Sequence, residues 1–208
     1  KGYDLKNNKV CSRGKHPNGT LEKARAWQKA RNPPVVPVFN TWDAKESFEA
    51  FSRSLGPTSA VLDTGAKKTV VGANWLRRFD ITLARAGAQP SQKLKIPAGA
   101  PPRIFQFGGG SKTSTGRRRV PFRTELELPG QGSEFAWQEF HTDVVPGNLP
   151  LLLSQDFLHR IRAVMDLDEG IVYLKTDAGL RRLWSARYHE PTGMVVLDLL
   201  PSVSRAQR

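Results

Sequence analysis

The sequence predicts an all-β domain that closes on itself to hide its strand edges, with one short helix toward its C-terminal side and another helix ahead of the sheet. Three observations predict this. Beyond residue 58, short runs rich in Val, Leu, Ile and Phe recur at close spacing, each bounded by Gly, Pro or Asp. Helical periodicity is confined to a few segments. No repeat divides the 208 residues, a length that suits one domain with extensions. A β domain of this kind must hide its edges, which is why closure is expected.

Residues 1–34 carry nine Lys/Arg and two acids, a net +7 out of +13 for the whole chain. They are poor in large apolar residues and end in Arg31-Asn32-Pro33-Pro34. This stretch reads as a basic flexible arm with a short helix over Leu21–Arg31 and a weak, salt-sensitive nucleic-acid contact. Cys11 and His16 stand at the C-x4-H spacing of a zinc knuckle, but Asn8 and Leu21 occupy the other two ligand positions. Two ligands do not close a site, so no metal and no cofactor is expected.

Residues 35–57 form a linker and an amphipathic helix. Ala44, Phe48, Phe51 and Leu55 recur at spacings of four, three and four, Asp43 precedes Glu46 as a capping pair, and Gly56-Pro57 stops the helix. Residues 58–178 are the main domain. Ser59–Leu62 and Thr69–Val71 predict short strands around a turn at Asp63-Thr64-Gly65. Trp75–Phe79 predicts one or two helical turns. Ile104–Phe107 leads into Gly108-Gly109-Gly110, and Val120, Phe122, Leu126 and Leu128 then share one face of a strand. Phe135–Val145 is a further strand, and Leu149–Leu153 has the unbroken apolar run of one buried on both faces. Ser154 is placed to cap a short helix running through Ile161. Strands follow at Ala163–Leu167 and Ile171–Leu174. Residues 179–208 read as a C-terminal strand extension containing Leu180–Ala186 and Met194–Leu200.

Composition excludes several function classes. No stretch approaches the roughly 18 apolar residues of a membrane helix, and no signal peptide is visible. The first residue is Lys rather than Met, as in an excised segment of a longer chain. One cysteine excludes an internal disulfide framework and fits a reducing, intracellular and cytoplasmic setting. Ser154 lacks the flanking glycines of a nucleophile elbow, and Gly108–Lys112 does not complete a phosphate loop. Arg117-Arg118-Arg119 reads as a solvated hairpin face.

The chemistry concentrates in Val61-Leu62-Asp63-Thr64-Gly65-Ala66-Lys67-Lys68-Thr69-Val70-Val71. An acid ends a buried strand, a small hydroxyl residue follows, and Gly lets the backbone fold tightly and aim its N–H at the carboxylate. Apolar runs on both sides distinguish it from an ordinary polar turn. A carboxylate held this way can polarise water for attack on a carbonyl.

This segment resembles the active-site turn of the retroviral-type aspartic proteases, the retropepsins, in their retrotransposon polyprotein form. The resemblance continues in order. Ile104–Gly110 resembles the glycine-rich flap, Thr115–Phe122 its return strand, Pro150–Leu158 the second hydrophobic strand and helix, and Ala163–Leu174 the hairpin after it. The match spans about residues 58–175. It implies a closed acid-protease barrel and an aspartic endopeptidase that processes a retroelement polyprotein. One Asp-Thr-Gly per chain implies a homodimer, since the mechanism needs two facing carboxylates sharing a proton. On the resemblance, Asp63 is catalytic and Thr64 and Gly65 complete the turn. Ala66, Lys67, Lys68, Phe107, Gly108, Gly109, Gly110, Leu151 and Leu152 contact the polypeptide substrate. The dimer strand is expected at Ala163–Leu167 rather than Met194–Leu200, so that deleting 179–208 would spare dimerisation.

Three departures from the family stand near the site. Lys67 and Lys68 replace acids that bond substrate, Ser154 replaces a glycine, and Gln155 replaces an arginine that pairs with the first acid. The lysines predict an electropositive cleft, a preference for acidic substrate flanks and a downward pull on the upper pKa of the acid pair. The competing readings are a catalytically inactive dimer of the same fold and a basic nucleic-acid-binding module within a polyprotein.

Overall fold

The computed structural model describes residues 54–201 apart from 98, 108, 109, 129, 131, 191 and 192, and three strands before them, β1 (Gly2–Asp4), β2 (Lys9–Cys11) and β3 (Val35–Pro37). The helix expected over 21–31 and His16 lie outside the described residues, as does nearly all of the helix expected over 41–55.

The described chain is mostly β, with two helices. The main sheet contains β4 (Ser59–Asp63), β5 (Val70–Gly72), β6 (Gln92–Leu94), β9 (Gly116–Leu128), β10 (Gly132–Val145), β11 (Leu152–Ser154), β15 (Ala186–His189) and β16 (Met194–Asp198). Its order is β15-β16-β4-β11-β5-β10-β9-β6. The hairpin of β7 (Ile104–Phe107) and β8 (Gly110–Thr113) forms a second sheet with β3. A third sheet joins β12 (Ala163–Asp166), β13 (Ile171–Thr176) and β14 (Gly179–Arg182).

The expected closed barrel is not formed, because β15 and β6 end the main sheet and do not pair with each other. The edges are managed in other ways. β15 lies beside β13, and β6 is three residues long with Lys93 at its centre.

Helix α1 (Ala73–Arg85) is longer than the one or two turns expected, at 13 residues. Trp75, Leu76, Phe79 and Leu83 give it a continuous buried stripe, with Trp75 stacked on Phe79 at 5.1 Å between ring centres. The β-branched Ile81-Thr82 and the absence of a side-chain cap conceal it in the sequence, where Gly72 stands at the N-cap. Gly72 is required by space: a Cβ there would lie 2.4 Å from Leu149 N and 2.5 Å from Gly147 O. Helix α2 (Gln155–Arg160) starts as predicted, with Ser154 Oγ accepting from Phe157 N at 3.3 Å.

The larger core lies between α1, α2 and the sheet, centred on the mutually edge-packed Phe122, Phe140 and Phe157. A smaller core gathers Val61, Ala66, Val70, Phe105, Val145 and Leu152. The C-terminal segment is integral to the sheet. β16 pairs with β4 on one side and β15 on the other, and Val195, Val196, Leu197 and Leu199 are buried. Removing 179–208 would strip β4 of its β16 neighbour. No helix among the described residues is long and apolar enough to cross a membrane.

Candidate active site

Strand β4 delivers Asp63 to the site. All five of its residues are buried, because β11 pairs with it in parallel on one side and β16 antiparallel on the other. β11 also pairs with β5, so it slots between the two strands that the Asp63 turn connects. The turn therefore arches over the end of β11, where Ser154 is the register partner of Asp63.

Asp63 is 6% exposed. Its Oδ1 accepts from Gly65 N at 2.9 Å and Ala66 N at 3.1 Å. Among the described residues, no Lys, Arg or His lies within ion-pairing distance of it. Burial pushes its carboxyl up from the ordinary aspartate value, and the two N–H groups offset part of that rise.

The hydroxyls behind the turn are the part that sequence reasoning missed. Thr69 Oγ1 accepts from Ser154 N at 3.2 Å and lies 3.0 Å from Ser154 Oγ. Ala66 O accepts from Gln155 N at 2.8 Å. Ser154 thus turns its hydroxyl toward Thr69 and the start of α2, where it has three roles: strand end, turn lock and helix cap. Ala66, Thr69 and Ser154 are buried, so their bonds also avoid the cost of unsatisfied polar atoms.

Lys68 pairs with Asp156, the second residue of α2. Gln155 does not replace the missing arginine; the neighbouring Asp156 supplies a pair of reversed charge, and Lys68 holds the Asp156 carboxyl below its usual value. The cleft's predicted positive charge accordingly falls to Lys67, which is exposed.

The remaining predicted site residues divide. Thr64 is exposed and Gly65 half-buried at the turn. Ala66 is fully buried, and the N–H groups of Gly65 and Ala66 are both committed to Asp63. Leu151 and Leu152 are 1% and 2% exposed and belong to the two cores, so the single chain offers neither to a substrate. Phe107 is half-buried against the smaller core, and Gly110 opens β8 with φ of 128°. Gly108 and Gly109 lie outside the described residues.

A second buried carboxylate stands nearby. Asp143 on β10 receives Arg103 Nη1 at 2.5 Å, Arg117 Nε at 3.4 Å and Ser114 Oγ at 3.0 Å. Its own N–H donates to Thr69 O at 3.1 Å. The signal in the sequence was an acid inside the apolar strand Phe140–Val145.

No protein-family model matches the chain, and no curated protein matches it. Among solved structures it is similar to the retroviral protease-like domain of Ddi1 from Leishmania major, at 18% identity and a TM-score of 0.32. That likeness covers 60% of this chain and 82% of the other.

Proposed function

We propose that the chain is an aspartic endopeptidase of the retropepsin kind, active as a homodimer that processes a retroelement polyprotein. The observation that carries this reading is Asp63 itself. It is a buried carboxylate, held by turn N–H groups, without a cation among the described residues, at the end of a strand flanked on both sides. A structural aspartate at such burial is ordinarily neutralised by a cation, as Asp143 is.

In the dimer, the two Asp63 carboxylates face each other and share one proton, because like charges about 3 Å apart cannot both ionise. One carboxylate takes a proton from water as its oxygen attacks the scissile carbonyl. The other donates its proton to the carbonyl oxygen, giving a tetrahedral diol that collapses to acid and amine. Thr64, exposed in the single chain, would join the two turns across the axis. The β7–β8 hairpin would close over the substrate and exclude water.

The strand pairing favours β12 as the dimer contact. Among the described residues β12 pairs with β13 alone, and Val164 and Leu167 are 43% and 65% exposed. β16 has both edges occupied. Contact of residues 1–34 with nucleic acid is a further part of this proposal, supported by their net charge of +7.

The test is cleavage of a peptide library or of a candidate polyprotein by the wild-type chain and by Asp63→Asn. Hydrolysis should disappear in the variant. Wild-type specific activity should fall toward zero on dilution below the dimer dissociation constant. A variant that cleaves at a comparable rate, or a strictly monomeric enzyme active at nanomolar concentration, would sink the reading.

A further inference from the structure

Two clefts adjoin along the edge strand β6. One, of about 630 Å³, lies between α1, β6 and β9, and the other, of about 290 Å³, lies beside the hydroxyls behind the Asp63 turn. They share Leu94 and Arg117 as lining residues, and Asp63 lines neither. Their basic lining includes Arg77, Lys93, Lys95, Arg117, Arg118 and Arg160. Arg117 is committed to Asp143. The other five have no carboxylate within 4 Å among the described residues. Three acids also line the clefts, each engaged: Asp80 accepts from Ser91 N and Ser91 Oγ, both at 2.8 Å, Asp143 is paired with Arg103 and Arg117, and Asp156 with Lys68.

The strand register adds an independent observation. Lys93 on β6 stands directly opposite Arg118 on β9. Like charges at directly opposed positions of an antiparallel pair repel and destabilise it. A lysine on an edge strand is an ordinary guard against aggregation. That purpose does not require an arginine facing it on the neighbouring strand, where Arg118 donates to the Ser91 carbonyl at 3.4 Å and meets no carboxylate among the described residues. An anion lying across the pair would relieve the repulsion and draw on both charges.

We propose that this groove binds a single-stranded nucleic acid through its phosphates, independently of Asp63 and of residues 1–34. Its floor is apolar, with Leu76 buried, Leu94 half-buried and Ile96 43% exposed, while its rim is cationic. Unpaired bases have faces to lay on such a floor and phosphates to offer such a rim, whereas a duplex keeps its base faces stacked inside. Arginine presents a planar fork that matches phosphate oxygens. His141 is the one ring in the lining of the two clefts, so the base faces meet mainly aliphatic side chains and the contact is sequence-tolerant and strongly salt-dependent. The net charge of the whole chain, +13, has the same sign as the groove and attracts the same polyanion.

The test is fluorescence anisotropy of a labelled oligouridine with the full chain, titrated at several salt concentrations. Three double variants are compared with the wild type. Lys93→Gln with Arg118→Gln removes the opposed pair, and Arg77→Gln with Lys95→Gln removes exposed charges without touching it. Arg78→Gln with Arg85→Gln removes equal charge from α1 outside both clefts. The two groove variants should each bind about tenfold more weakly at low salt. Each should lower the slope of log K against log salt by about 1.4, near 0.7 for each lost phosphate contact on a single strand. The α1 control should stay close to wild type. Losing the opposed pair should also leave the melting temperature unchanged or higher in the absence of oligonucleotide. Groove variants that bind like the wild type would assign all binding to other basic residues and overturn the proposal. So would a control that weakens binding equally. A poly-glutamate peptide that displaces the oligonucleotide at equal charge concentration would point to an acidic peptide instead.

Discussion

Asp63 and Asp143 are two aspartates of one sheet, 6% and 3% exposed, and they are treated in opposite ways. Asp143 is met by two guanidinium groups and a hydroxyl. Among the described residues Asp63 receives two backbone N–H groups and no cation, and burial raises its pKa. The difference shows that burial alone does not say what a carboxylate is for; its partners do. A fully neutralised acid ties strands together and is chemically silent. An acid that keeps its proton more tightly than usual is suited to exchanging one. The two are also linked, because Thr69 carries its carbonyl to Asp143 N–H and its hydroxyl to Ser154 beneath the Asp63 turn.

The largest effect expected from breaking this contrast is on catalysis. Asp63→Asn should reduce hydrolysis to background without loss of fold, since Asn keeps the volume and an oxygen for the Gly65 and Ala66 N–H groups. A peptide-cleavage assay beside a circular dichroism spectrum checks both halves.

Asp143→Ala should act the other way and lower stability. It leaves Arg103, Arg117 and Ser114 without their shared acceptor in a partly buried place. The cost is about 3 kcal/mol, or roughly 6–12 °C in Tm for a chain of this size. Denaturant unfolding would read it, and a change under about 1 kcal/mol would show that the arginines find water or other acceptors easily.

A smaller effect concerns pH. Because the folded-state pKa of Asp63 is raised, its contribution to stability is present below the ordinary aspartate pKa of 3.8. It is lost as pH rises through the folded-state value. Asp63→Asn removes that loss, so the variant should melt above the wild type at pH 7, with the gap closing as pH falls toward 4. A gap that widens on acidification would reverse the assigned sign.

The smallest effect is expected at the exposed Lys68–Asp156 pair, whose side chains are 44% and 52% exposed. Asp156→Asn should cost less than about 1 kcal/mol and weaken further in importance with salt. It should also restore a free charge at Lys68, sharpening any preference for acidic substrate flanks that Lys67 alone provides. A substrate library profile of wild type, Asp156→Asn and Lys67→Ala would resolve the two lysines.

The strands were largely legible because their signals are local. Alternation in Val120–Leu128, the unbroken run Leu149–Leu153 and the serine ahead of Gln155 each point to their element without help from elsewhere. The length of α1 was not, because Gly72 gives no capping signal and was selected by the backbone of Leu149. The same holds for Leu151 and Leu152: their apolar character was plain, but which apolar residues face a cleft depends on what covers them.

The strands, the Asp63 turn and the cap at Ser154 follow from residues within a few positions of one another, and the net positive charge is a plain sum over the chain. Only the tertiary structure decided that β11 enters between β4 and β5 and that β16 is the second neighbour of β4. It also decided that the sheet stays open, that Thr69 meets Ser154, that Asp156 takes Lys68, and that Lys93 faces Arg118. The strand and side-chain pairings among these join residues 25 to 139 positions apart in the chain, as Lys93 to Arg118 and Ser59 to Asp198 do. Such pairings are selected by burial and register across the whole sheet, where no local propensity reaches.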